Sequence, residues 1–161
     1  KKVIRPRDAR QSRMGQTFAQ IVAVFMRDPG YKNLRVADLE WLVLPPVMAG
    51  QYRLAHGTRQ PEAGKEQQGG VFVPVAVVLW ARVSPHIDKA LSENLDKQVR
   101  LRPNDWASGD IVWLMAAAGH PRAVPEFVKQ LAETDFKDEQ VKMRMRGPDG
   151  KVVIKTLGQT A

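Results

Sequence analysis

The sequence predicts an α/β (α+β) domain, a mostly antiparallel sheet with helices packed on it. Two long apolar runs, "VFVPVAVVLWARV" at residues 71 to 83 and "IVWLMAAAG" at 111 to 119, are separated by an amphipathic stretch. Both have the length of strands, and the second is apolar enough to be covered on both faces. The third observation is the closing unit "QVKMRMRGPDGKVVIKT". Val141, Met143 and Met145 alternate with Lys142, Arg144 and Arg146, and "GPDG" supplies a turn. That is a hairpin with one buried and one basic face.

The other elements follow in chain order. Residues 16 to 27 place Phe18, Ile21, Val22 and Phe25 at helical spacing, and Pro29 and Gly30 then break the helix. Val36, Leu39, Leu42 and Val43 fit a second helical face. Pro45 and Pro46 must interrupt it, because neither has a backbone N–H to give. "QYRLAH" reads as a strand, followed by the Gly-, Pro- and charge-rich loop "GTRQPEAGKEQQGG". Pro74 within the long strand calls for an edge or a bulge. "SPHIDKALSENLDKQ" is an amphipathic helix with Ser84 as its N-cap. "RAVPEFVKQLAET" is another, with Pro125 in its first turn.

Composition limits the possible functions. The 161 residues are 43% hydrophobic, enough for one core, and no run approaches the roughly 18 apolar residues of a membrane span. The chain has no cysteine, which excludes disulfides and thiolate metal sites. With no apolar signal core near the N-terminus, a cytoplasmic location is expected. In the first 15 residues six basic side chains stand against Asp8 alone, a net +5 of the whole +8. We expect residues 1 to 15 to be a flexible basic tail and 16 to 161 a single domain. The positive charge suits an acidic partner.

Phosphate-binding glycine loops, nucleophile elbows and paired-His helix motifs are missing from the sequence. His56, His86 and His120 are scattered without metal-ligand spacing, and no metal site is expected. The stretch "NDWASGDIVWLMAAAG" is more informative. It sets a carboxylate, Asp110, at the mouth of an apolar strand. Ser108, Gly109 and Asp110 are turn formers, so Asp110 could simply be solvated. Alternatively its apolar neighbours desolvate it, which would suit it to taking up or relaying a proton.

"NDWASGDIVW" resembles the signature of the toxin-activating lysine acyltransferases, the family that acylates RTX protoxins. The matching positions are Asp105, Trp106, Ser108, Gly109, Asp110 and Trp113. "FMRDPGYKNLRVADLEWLVLPPVMAGQYRLA" is similar to the family's N-terminal helices and following strand, so the likeness spans roughly residues 18 to 146. The resemblance implies a fold like that of GNAT acetyltransferases, with helices on both sheet faces. It implies transfer of a fatty acyl chain from acyl carrier protein to a protoxin lysine, with no bound cofactor, and a homodimer. It implies a catalytic His–Asp pair, with Asp110 as the aspartate and Ser108 and Gly109 supporting its turn. Tyr31 stands at the family's histidine position, where a phenol could donate a hydrogen bond but would be a poor base. His120 is the alternative imidazole, but it lies roughly 30 Å along an extended strand from Asp110 and needs a bend at Gly119. On this reading Asp110→Asn should lose about 10²–10⁴-fold in rate. One rival is a catalytically impaired homologue that binds acyl carrier protein or an RTX-like protein. A nucleic-acid-binding module ranks below both, because the hairpin offers methionines in place of stacking aromatics.

Overall fold

The computed structural model describes residues 9–59 and 71–158. Residues 1 to 8, with four of the six basic side chains of the expected tail, and the loop centre at 60 to 70 fall outside the described residues. Helix α1 spans Ala9–Arg27 and so starts earlier than the apolar spacing predicts. Its first turns hold Ala9, Arg10, Gln11, Arg13 and Met14, good helix formers that outweigh Ser12 and Gly15, and Met14 reaches the core. Residues 9 to 15 therefore belong to the helix and not to a tail. The second helical segment divides into α2 (Val36–Leu42) and α3 (Leu44–Ala49). Pro45 and Pro46 sit in the first turn of α3, where the missing N–H costs nothing.

The sheet contains β1 (Tyr52–Arg59), β2 (Val71–Val83), β3 (Ile111–Gly119), β4 (Val141–Arg146) and β5 (Val152–Leu157), ordered β1-β2-β3-β4-β5. All neighbours are antiparallel except β3 and β4, which run parallel. As expected, β2 and β3 are adjacent inner strands. His56 pairs with Pro74 while Ala55 pairs with Ala76, so the ladder bulges at Val75. Pro74 also lies beyond Ala76, the last β2 residue paired to β3, so its missing donor is lost to no ladder on that side.

Strand alternation divides the core in two. Val77, Leu79, Ala81 and Val83 face α1, α2 and α3 together with Trp106 and Trp113. Val78 and Trp80 face the other way, with Val112, Leu131 and Phe136, against α5 (Ala123–Glu133). Helices thus cover both faces, and the architecture is the expected mostly antiparallel α/β sheet. Helix α4 (Pro85–Glu93) begins at the Ser84 cap, whose hydroxyl accepts the Ile87 N–H. It ends well before Gln98, at Asn94, whose backbone N–H and side-chain amide both bond the Ala90 carbonyl.

The buried Gln51 joins β2 to the turn that precedes β3. Its side-chain amide donates to the Trp80 carbonyl at 3.1 Å and the Trp106 carbonyl at 2.8 Å. Replacing it by leucine strands two buried acceptors, at about 1–3 kcal/mol each. Gln51→Leu should therefore lower the urea midpoint clearly, with the folded-state circular dichroism unchanged.

A candidate active site where β3 and β4 part

The "DWASGD" block is a structural clamp. Asp105 accepts the Arg102 N–H, and Trp106 is 1% exposed in the core. The Ser108 and Gly109 amides donate to the Arg82 carbonyl, and the Ser108 hydroxyl accepts the Ser84 N–H at 3.0 Å. A side chain at Gly109 would overlap the Val83 carbonyl oxygen, so only glycine fits. Ser108 and Gly109 thus tie this turn to the end of β2. Asp110 itself is exposed, without the apolar cover that the sequence suggested. It adds its charge to the surroundings of Arg82, which grips Glu139 through two hydrogen bonds of 2.6 and 3.0 Å.

Tyr31 lies at the far end of β3. Its hydroxyl oxygen accepts the Ala117 N–H at 3.3 Å, and its ring stacks on Phe25 with centroids 4.7 Å apart. Seven residues of strand separate Asp110 from Ala117, roughly 20 Å. The structure does not bring Tyr31 and Asp110 together, so they cannot act as one pair within this fold. On the face that packs Tyr31, the nearby β3 side chains are the methyls of Ala116 and Ala118. His120 does share this end: it follows Gly119, its amide donates to the Val75 carbonyl, and its Nδ1 accepts the Arg122 N–H at 3.3 Å. His56 lies in β1 and His86 in the first turn of α4. Among the described residues, no three His, Asp or Glu side chains are grouped to hold a metal ion.

The reason for this arrangement lies in the sheet. β4 pairs with β3 at three positions only, Val112↔Val141, Trp113↔Lys142 and Leu114↔Met143. Just beyond, Leu79 pairs with Ala116 while Trp80 pairs with Leu114, so Met115 is a bulged residue. From there β3 continues without β4, and its outward amides need other acceptors. Ala117 N–H finds Tyr31. Gly119 N–H finds Asp28 Oδ2 at 2.9 Å, and the other oxygen of Asp28 takes Gly30 N–H at 2.7 Å. Asp28 was not singled out from the sequence. "DPG" marks a turn there, but nothing local announces a bond 91 residues away.

The other face of the slot opens into an apolar groove of about 790 Å³ between α5 and the β4–β5 hairpin, with Ala117 in its wall. The basic face of that hairpin is tied down. Lys142 and the Trp113 indole N–H both bond Asp88 Oδ1 at 2.8 Å, and Arg144 donates to the Leu91 and Lys97 carbonyls. Cations engaged in this way are poorly placed to bind nucleic acid.

The model of the RTX toxin acyltransferase family matches residues 10–157. The chain belongs to that family. No curated protein matches it. Membership implies acyltransferase activity in RTX toxin activation. Among the described residues no helix is long and apolar enough to cross a membrane.

Burial raises the Tyr31 phenol above its ordinary value of 10.0, against the lowering by the Ala117 bond, and the Asp28 charge raises it further. The phenol is thus a neutral donor throughout the physiological range and not a base. A raised folded value means that the Tyr31 contribution to stability is constant below pH 10 and is lost as pH climbs through the folded value. Tyr31→Phe should flatten that alkaline fall, read from thermal midpoints between neutral pH and pH about 11.

Proposed function

We propose that the protein transfers a fatty acyl chain from acyl carrier protein to the ε-amino group of a lysine in an RTX protoxin-like acceptor, at the slot between β3 and β4. The observation that supports this reading is the stretch of β3 beyond Met115, which β4 does not cover and whose Ala117 and Gly119 amides rest on the Tyr31 hydroxyl and the Asp28 carboxylate. An extended, amide-bearing prosthetic arm could lie along such an edge as an added strand does. A carrier-protein donor also agrees with the net charge of +8 and with a sequence that has no glycine-rich phosphate loop. The same reading carries with it a cytoplasmic reaction and, from the family resemblance, a homodimer.

In the reaction, the lysine nitrogen attacks the thioester carbon, the carbon–sulfur bond breaks, and the thiolate leaves. The neutral Tyr31 hydroxyl can donate to the thioester oxygen or to the departing sulfur. The lysine ammonium must first lose a proton. Of the residues read from the sequence, His120 stands at the Tyr31 end of β3, and an imidazole is a common general base, so His120 is assigned that role through water. Asp110 becomes a turn residue.

Under single-turnover conditions His120→Ala should lose about 10²–10⁴-fold in rate, the usual worth of general-base catalysis. Tyr31→Phe should lose roughly tenfold or less, and Asp110→Asn should stay near the parent. A large loss in a folded Asp110→Asn would return that carboxylate to the chemistry.

The second reading, a binding protein without turnover, draws on one observation. Beside Tyr31 the strand offers only alanines and a glycine, and both Asp28 oxygens are occupied by backbone amides. An inactive parent that still binds acyl carrier protein would establish it.

The donor is tested by comparing acyl carrier protein and coenzyme A thioesters of the same chain. Transfer should be faster from the carrier protein, and equal or faster transfer from coenzyme A would remove it from the proposal.

A further inference from the structure

We infer that the groove between α5 and the β4–β5 hairpin seats the fatty acyl tail of the donor, an inference that rests on the acyl-transfer reading. Its wall is apolar: Ala117, Val128, Met143, Met145 and Leu157 face it. At about 790 Å³ it lies within the range that holds extended small ligands, roughly 300–1,000 Å³. It is also continuous with the proposed reaction point through one residue. Ala117 gives its methyl to the groove wall and its N–H to the Tyr31 hydroxyl. A thioester that meets the Tyr31 hydroxyl at Ala117 has the apolar groove on the other side of that residue for its chain.

The charge on the rim points to the same occupant. Lys129, Lys137 and Lys155 border the groove, against Glu133 as the one acid among the lining residues. None of the three lysines forms an ion pair among the described residues. Elsewhere on this face the cations are spoken for: Arg53 pairs with Asp135 and Arg82 with Glu139. An apolar trough with unpaired cations at its lip fits an alkyl chain that carries an anion at one end. The acyl arm of a carrier protein joins its alkyl chain through a neutral thioester to a prosthetic group that ends in a phosphodiester, and a free fatty acid, with a carboxylate at the thioester carbon, is the simplest probe of the seat. Met143 and Met145 line the hairpin side, and their flexible thioether chains can adapt to an alkyl tail. Met145 is 40% exposed.

The test titrates the full chain with dansyl-undecanoate by fluorescence, then competes with decanoate, myristate and stearate. Saturable binding of one molecule per chain is expected. Affinity should rise by up to about fourfold for each methylene fully buried, then level off at the length that fills the groove. Met145→Glu, at an exposed position that leaves the core alone, should weaken myristate at least tenfold. Val128→Asp should do the same if it folds, and circular dichroism checks both. Absence of saturable binding overturns the inference, as does binding equal in Met145→Glu and parent. So does a Met145→Glu variant that dissociates a dimer without touching fatty-acid binding, since the groove would then belong to a second copy. Acyl transfer is measured alongside. Transfer at the parental rate in Met145→Glu overturns the acyl seat and leaves the reaction standing. Groove-dependent fatty-acid binding with no transfer supports the seat and removes the reaction.

Discussion

A strand that loses one neighbour halfway along must find new partners for its backbone, and β3 is that strand here. Its first half is held on both sides, by β2 and by β4. After Leu114 the ladder to β4 stops, and two amides in the middle of the molecule face a gap. Leaving such groups unpaired costs about as much as a lost hydrogen bond each. The loop after α1 meets the need with Tyr31 and Asp28. The position of that loop, the slot and the groove behind it all follow from this one interrupted ladder.

The clamp at the opposite end of β3 is its counterpart. Gly109 lets the chain press against the β2–α4 junction, Ser108 ties it to Ser84, and Trp106 closes the core beneath. This fixes where β3 starts and hence which of its amides emerge beyond the bulge. The most recognisable motif in the chain thus acts on the site at a distance, by setting strand register. A side chain at Gly119 would collide with the Val75 carbonyl, so the strand's far end is fixed by close approach as well.

Most of the fold was legible in the sequence, since periodicity and punctuation are local signals. The long strands, the Ser84 cap, the Pro74 bulge and the closing hairpin all stand where the pattern sets them. The early start of α1 was hidden, because exposed helix formers leave no apolar stripe. The site was legible only in part. Tyr31 and His120 were named, but their shared end of β3 depends on how α1 and its loop pack on the sheet. Asp110 looked chemical because it borders an apolar run. Adjacency in sequence says nothing of cover, and the carboxylate is exposed. The bulge at Met115 and the role of Asp28 arise from pairing between distant segments, and no local pattern encodes them.

The short ladder between β3 and β4 also has a mechanical side. The hairpin touches the rest of the sheet through three paired positions, while Arg144 and Lys142 bind it to α4 and the loop after it. Its attachments to α4 are polar, its Val141, Met143 and Leu157 pack in the second core, and β1, β2 and β3 share the long ladders. Hairpin and α4 therefore meet along a seam closed by polar bonds. Leu91 of α4 and Ile154 of β5 still pack on the first core, so the seam is pinned by apolar contacts beneath the polar ones while the long ladders frame it.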